Sequence, residues 1–166
     1  MTDVNFKPDR PPLRRDTDEV RPRQHEGDDT DGADALSYDL IELLFFAYRD
    51  FTGDPDDVLA EYDFGRAHHR VIYFVGRYPG MPVSDLLGIL QITKQSLSRV
   101  LSQLVQEEYI VQKQGTRDRR QRLLTLTEKG RQLEQELTSN QLDRIAKAFR
   151  EAGADAVEGF RKVMLG

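Results

Sequence analysis

The 166-residue sequence contains no cysteine. It can therefore hold no disulfide framework, no thiolate metal site and no cysteine redox switch. No apolar run approaches the ~18 residues that a membrane span requires, and the first residues lack the apolar segment of a secretory signal peptide. These absences predict a cytoplasmic protein without a membrane partner, and the length fits one ordinary domain.

The sequence also lacks the usual marks of an enzyme. It has no glycine-rich phosphate loop and no H-E-x-x-H pair, so we expect neither catalysis nor a cofactor. His68 and His69 are adjacent, and neighbouring helical residues point about 100° apart, which disfavours a shared metal ion. We expect His68 to be a packed, hydrogen-bonded group. The alternative is that one of the two lines a small-molecule cleft and makes binding sensitive to pH.

Charge is unevenly distributed along the chain, whose net charge is −5. Residues 93–131 contain 9 basic and 4 acidic residues, a local charge of +5. The segments 1–35, 36–92 and 132–166 carry −4, −5 and −1. Since the local field decides where a polyanion docks, residues 93–131 are the candidate nucleic-acid surface of an otherwise acidic protein.

The first half of this basic segment predicts a helix over about 93–108. Leu97, Val100, Leu101 and Leu104 recur at helical spacing and predict a buried face. The opposite face contains hydrogen-bond donors and no acid before Glu107. Such donors suit phosphates and base edges, although an ordinary surface helix poor in glutamate would read the same way. The predicted DNA contacts on this helix are Thr93, Lys94, Gln95, Ser96, Ser98, Arg99 and Gln103, with Thr93 also as the N-cap.

The second half predicts a hairpin with a basic tip. Residues 109–114 and 121–127 have strand-like composition. The tip contains Arg117, Arg119, Arg120 and Arg122, offset only by Asp118. Folding alone would not favour four arginines in one loop, whereas arginine fits a narrow, negative minor groove. The alternative is a solvated charged loop.

The hairpin resembles the wing of a known family. The pattern Asp118-x-Arg120, then Leu126-Thr127, then Gly130, is similar to the wing signature of the MarR family of winged-helix regulators, and the resemblance spans residues 45–142. The segments FFAYR at 45, GRAHHR at 65 and TKQSL at 93 are similar to its PetP-like branch. The resemblance implies a homodimer that binds a palindrome, with Arg120 in the minor groove and Asp118 orienting a nearby arginine.

The expected fold is mainly α with a small β-hairpin wing. We predict a flexible tail over 1–34, a winged helix-turn-helix over about 65–127, and dimerisation helices over about 36–52 and 128–165. The helix that starts at Leu36 is apolar nearly all round and needs cover from a second subunit. Thr52 to Pro55 is predicted to end it.

The resemblance also implies a cleft for a small aromatic or anionic effector. Candidate lining residues are Phe45, Tyr48, Arg49, His68, His69 and Ile72, with Arg49 able to pair with a carboxylate. The alternative is that these residues are simply dimer core. The leading hypothesis is thus a dimeric regulator that binds double-stranded DNA sequence-specifically. The second is a winged-helix module that binds a protein partner without specific DNA binding.

Overall fold

A computed structural model describes residues 29–116 and 118–166, with side chains described from Tyr38 onward. The elements are α1 (Asp29–Glu61), α2 (Arg66–Arg77), β1 (Met81–Pro82), α3 (Val83–Leu90), α4 (Lys94–Gln106), β2 (Ile110–Gln114), β3 (Arg122–Leu126), α5 (Glu128–Ala152) and α6 (Ala154–Leu165). The predicted fold class, mainly α with a small β-hairpin wing, is confirmed. Of the tail predicted over 1–34, residues 1–28 lie outside the described residues, and α1 begins at Asp29.

The chain divides into two compact units, 1–40 and 41–166. The described part of the first is the beginning of α1. The second contains the remainder of α1 and the other elements, and α3, α4, α5 and β3 pack against α2. The core of this unit is formed by Val71, Ile72 and Val75 of α2 together with apolar residues of its neighbours, which are Leu86, Leu90, Leu97, Val100, Leu101, Leu104, Leu124, Leu126, Leu133 and Leu137. The apolar face predicted for α4 is therefore buried as expected.

The predicted break at Thr52 to Pro55 is wrong, because α1 continues through Pro55 to Glu61. Proline has no N–H, so the carbonyl of Phe51, four residues earlier, loses its usual helical donor. Gln141 of α5 donates its Nε2–H to that carbonyl at 2.9 Å, and Arg144 donates to the carbonyl of Asp50 at 2.7 Å. A residue 90 positions away thus replaces the hydrogen bond that the proline removes.

The sheet has one more strand than predicted. β2 and β3 form the predicted antiparallel hairpin, with Ile110 opposite Leu126 and Gln114 opposite Arg122. β1 pairs with the other edge of β3, with Met81 opposite Leu124, so the strand order is β1-β3-β2. Because β1 leads directly into α3, this pairing ties the start of α3 to the wing.

The start of α5 is locked against the start of the wing. Thr127 is the N-cap of α5: its hydroxyl accepts from the N–H of Gly130 at 3.0 Å and donates to the carbonyl of Glu108 at 2.6 Å. Gly130 passes so close to Tyr109 that an added Cβ would overlap the Tyr109 carbonyl oxygen. This contact gives a physical reason for the glycine of the wing pattern.

Large apolar side chains remain exposed on the first helix and on the last two helices. In α1, Phe45 is 69% exposed, and in α6, Val163 is 78% exposed. Further exposed apolar residues of these helices and of α5 are Ile41, Leu43, Leu44, Phe46, Tyr48, Leu142, Phe160, Met164 and Leu165. Among the described helices, none is both long enough and apolar enough to cross a membrane.

Candidate nucleic-acid interface

The candidate recognition helix α4 begins at a threonine cap. The Thr93 backbone is extended (φ −69°, ψ 149°), and its hydroxyl accepts from the N–H of Ser96 at 3.1 Å. This confirms the predicted N-cap and bounds the helix at Lys94. The first turn contains no acidic residue, so the positive end of the helix dipole is not neutralised there.

Most predicted contacts on this helix share one property, which is exposure to solvent. The exposed residues are Thr93, Lys94, Gln95, Ser96, Ser98 and Arg99. Gln103 differs, since it is half-buried and its amide already has partners. Its oxygen lies 2.9 Å from Nε2 of His68, and its Nε2 donates to the Glu107 carboxylate at 3.0 Å. Gln103 is therefore engaged within the chain, and its phosphate contact stays a prediction.

The wing tip is a tight loop held together by backbone groups. The Asp118 carbonyl accepts from the N–H of Gln121 at 3.1 Å, and the N–H of Gly115 donates to the Gln121 carbonyl at 3.1 Å. A Cβ on Gly115 would lie 2.6 Å from the Asp118 carbonyl oxygen. That contact is a steric clash, and only glycine, which has no Cβ, avoids it. The Asp118 carboxylate accepts from the backbone N–H of Arg120 at 2.9 Å. In the single chain Asp118 thus holds the loop, whereas the resemblance implied a bond to an arginine side chain.

Three of the four arginines of the wing lie within the described residues, and all three are exposed. Arg119, Arg120 and Arg122 lie at the surface, and within the described ranges the salt bridges involve other residues. Arg117 lies outside the described residues. Three exposed guanidinium groups on one hairpin, with no carboxylate bonded to them in this part of the chain, create a positive surface that an anionic partner could neutralise.

A groove of about 630 Å³ joins the wing to α4. Its cationic residues are Lys94 from α4 and Arg120 and Arg122 from the wing. Its thirteen lining residues, all within the described part of the chain, include no carboxylate. The others are Pro82, Val83, Ser84, Leu87, Leu97, Ser98, Leu101, Ser102, Gln112 and Gln121. The fold therefore brings four of the predicted contacts, Lys94 and Ser98 of α4 and Arg120 and Arg122 of the wing, into one concave surface whose charged residues are all basic.

The residues predicted to line an effector cleft are divided between core and surface. Ile72 has no exposed surface, so a ligand could not reach it, which corrects our prediction. Tyr48 and Arg49 have partners within the chain: the Tyr48 hydroxyl accepts from Arg66 at 3.3 Å, and Arg49 pairs with Asp50 at 2.9 Å. Phe45 lies exposed on α1.

The two histidines lie in different surroundings. His68 is packed and hydrogen-bonded, as predicted: its ring stacks on Phe64 with centroids 4.6 Å apart, and both ring nitrogens have partners. Burial lowers the pKa of His69, while the nearby carboxylates of Asp56 and Glu134 oppose that shift. His68 is thus a structural group of the α2 start, and His69 is a half-buried base whose charged form is disfavoured by burial.

Sequence reasoning missed one residue that supports this surface. Arg70 of α2 donates its Nη2–H to the carbonyl of Leu90, the last residue of α3, at 3.1 Å. The next residue, Gln91, adopts a left-handed conformation with φ 51° and turns the chain toward α4. The only local signal for this contact is a basic residue on a helix, which does not reveal its partner.

Comparisons with known proteins agree on one family. The sequence profile of the MarR family matches residues 62–121. The HTH-type transcriptional regulator PetP of Rhodobacter capsulatus is 52% identical over 124 residues, which cover 75% of each chain. The fold is similar to that of a MarR transcription regulator from Oenococcus oeni, with a TM-score of 0.60, 20% identity, and coverage of 75% of this chain and 95% of that one. A MepR mutant from S. aureus, solved bound to an oligodeoxyribonucleotide, gives a TM-score of 0.54, 19% identity, and coverage of 76% and 92%.

Proposed function

Because the chain belongs to the MarR family of transcription regulators, we propose that it acts as a homodimer that binds a palindromic site in double-stranded DNA. Proteins of this family regulate by binding DNA and are not enzymes. The observation that carries the proposal is the carboxylate-free groove between α4 and the wing, which contains Lys94, Arg120 and Arg122.

In this proposal α4 enters the major groove. Its exposed side chains supply donors and acceptors that can read base edges, and these are Gln95, Ser96, Ser98 and Arg99. Lys94 and the capped first turn at Thr93 meet phosphates, which favour the N-terminus of a helix. Specificity thus comes from exposed side chains of the first two turns and orientation from the N-terminus of the helix.

The wing reaches the neighbouring minor groove. The Arg120 guanidinium is the proposed finger, with Arg119 and Arg122 as phosphate neighbours. In a symmetric dimer the two α4 helices would meet half-sites about one helical turn apart, roughly 10 base pairs.

A second copy of the chain is the proposed cover for the exposed apolar side chains of α1 and α6. Phe45, Leu44 and Val163 are each more than half exposed, and monomeric proteins rarely leave large apolar patches in water. Symmetric dimers are the commonest assemblies, and each copy would contribute one groove to a two-fold site.

We also propose that the protein binds a small aromatic or anionic effector. Fewer residues support this proposal than the sequence indicated. Phe45 and Tyr48 are exposed, and Arg49 is the nearby cation, whereas Ile72 is excluded by burial. An aromatic carboxylate that binds only the folded protein would raise its melting temperature. A carboxylate that raises the melting temperature without changing DNA affinity would count against a regulatory role.

The test of DNA binding begins with selection of duplexes from a random pool by the purified full-length protein. Enrichment of a palindrome supports the proposal, whereas enrichment of no sequence favours the alternative, a winged-helix module that binds a protein partner. Arg120→Ala is then titrated against the selected duplex at several salt concentrations. Each cation that no longer neutralises a phosphate charge should reduce the salt slope by about 0.9, so the loss of Arg120 from both protomers should reduce it by roughly 2.

The matched control is Arg150→Ala on α5, which removes the same charge from an exposed position far along the chain from the groove. It should leave the salt slope unchanged. If both variants lowered the slope equally, binding would reflect total charge and not a contact made by the wing.

A further inference from the structure

The start of α2 is connected to the recognition helix by a directed chain of hydrogen bonds. The N–H of Gly65 donates to Nδ1 of His68 at 3.1 Å. Nδ1 therefore carries no proton, and the proton of the neutral ring resides on Nε2. That Nε2 lies 2.9 Å from Oε1 of Gln103 on α4 and donates to it. Gln103 in turn donates to the carboxylate of Glu107 at the end of α4.

Packing against Phe64 disfavours any other orientation of the His68 ring. It lies parallel to the Phe64 ring, with an interplanar angle of 8°. Phe64 is buried and contacts Tyr109 edge to face at 5.2 Å. Tyr109 directly precedes β2, the first strand of the wing. The aromatic contacts of Phe64 with His68 and Tyr109 thus connect the start of α2 to the base of the wing. The same His68 ring carries the hydrogen bond to α4.

Helix α2 holds both helices of the DNA-binding unit. Arg70, two residues after His68, bonds the last carbonyl of α3, while His68 bonds the last turns of α4 through Gln103. The apolar contacts between these helices resist separation, but apolar packing is non-directional. Polar bonds of fixed geometry add a constraint on how far α4 can rotate or slide.

We propose that His68, as the neutral tautomer with its proton on Nε2, is a positioning residue for the recognition helix. This inference rests on the proposed DNA-binding function. His68 touches no DNA in this arrangement. It fixes α4 so that the exposed side chains meet the correct base edges, and its loss should therefore reduce discrimination between sequences more than it reduces attraction to DNA in general.

His68→Gln separates this role from a merely structural one. A glutamine at the third helical position can still reach back to the N–H of Gly65, as in a capping box. It cannot also hold Gln103, since the amide is shorter than the imidazole bridge. Gln103→Met removes the same link from the other side. Ala67→Gln, at an exposed position one residue before His68, is the matched control.

The readouts are affinities for the selected duplex and for a scrambled duplex, measured at several salt concentrations. His68→Gln and Gln103→Met should each weaken binding to the selected duplex by about two- to tenfold per protomer, the range expected for one hydrogen bond. Affinity for the scrambled duplex and the salt slope should not change, and the double variant should lose no more than either single one. Equal losses on both duplexes, or losses that multiply, would overturn the inference.

A spectroscopic measurement tests the link without DNA. The ¹⁵N shifts of the His68 ring in the full-length protein should report the tautomer protonated on Nε2, and Gln103→Met should alter them. A ring protonated on Nδ1 would refute the inference even if specific DNA binding holds. A wild-type protein that binds selected and scrambled duplexes equally would instead overturn the proposed function and this inference with it.

Discussion

Replacement of Gly130 by alanine should destabilise the fold at the junction of the wing and α5. Gly130 is the third residue of α5 and is buried. An added Cβ would overlap the carbonyl oxygen of Tyr109 and lie 3.3 Å from the Cβ of Leu126. The same carbonyl accepts the N–H of Thr127 at 3.0 Å. The methyl group can therefore fit only if the Tyr109 backbone moves and that hydrogen bond lengthens.

The expected change in the free energy of unfolding for Gly130→Ala is the sum of opposing effects. Alanine has a higher helix propensity than glycine by up to about 1 kcal/mol. Overpacking of a rigid site costs about 1–3 kcal/mol, and the strained hydrogen bond contributes about 0.5–1.5 kcal/mol more. The steric terms exceed the propensity gain, so Gly130→Ala should lower the free energy of unfolding by about 2 kcal/mol.

The matched control is Gly88→Ala on α3. Gly88 is exposed, and a Cβ there would meet no atom within 4 Å. Neither glycine has a positive φ, so only the surroundings distinguish them, and Gly88→Ala should be neutral or stabilising by up to about 1 kcal/mol. Both are measured by urea unfolding at one protein concentration, with the midpoint compared at unchanged slope. If Gly130→Ala unfolded at or above the wild-type midpoint, the proposed steric role of this glycine would be refuted.

Two further predictions concern the packing of α1, α2 and α5. Gln141→Leu leaves the Phe51 carbonyl without the donor that compensates for proline, so it should reduce the free energy of unfolding by about 1–3 kcal/mol; Gln135→Leu, exposed on the same helix, should change it little. Burial lowers the pKa of His69, so the unfolded chain takes up the proton more readily and stability should fall as pH drops below about 6.5. Urea midpoints for His69→Gln should decline less over that pH range, and an identical decline in both proteins would contradict the assignment.

Local signals in the sequence were sufficient for the parts of the fold that depend on neighbouring residues. The apolar spacing of Leu97 and Leu101 predicted the buried face of α4, and Thr93 marked its start. The apolar runs on either side of the arginines predicted the hairpin. In each case the element is stabilised by groups within about one turn or one strand of each other.

The sequence could not reveal features that depend on distant partners. Pro55 removes a helical donor, which usually ends a helix, and only the folded chain shows Gln141 in place of that donor. Likewise β1 is two residues long and gains its strand character from Leu124, more than forty positions away. Very short strands, and helices that continue through a proline, are therefore poorly predicted from the local sequence pattern.

The error at Ile72 has a related cause. The sequence does not show how many faces of α2 are covered by other elements. We assigned Ile72 to a ligand cleft because the family resemblance implied such a cleft beside α2. In the structure α2 packs against α3, α4, α5 and β3, and Ile72 is fully buried in the shared core. Polar residues at the edge of such a central helix, including His68 and Arg70, then form hydrogen bonds with the elements around it.

This arrangement explains how a helix can expose a face suited to a polyanion and still be held firmly. The exposed face of α4 contains no carboxylate before Glu107, so its exposed cations, Lys94 and Arg99, lack the neighbouring acids that an ordinary surface helix provides. Stability must come from behind the helix, where Leu97 and Leu104 are buried and Gln103 is bonded. Affinity for a polyanion and stability of the helix thus depend on opposite faces of α4. The half-buried Gln103 lies at the boundary between these two faces.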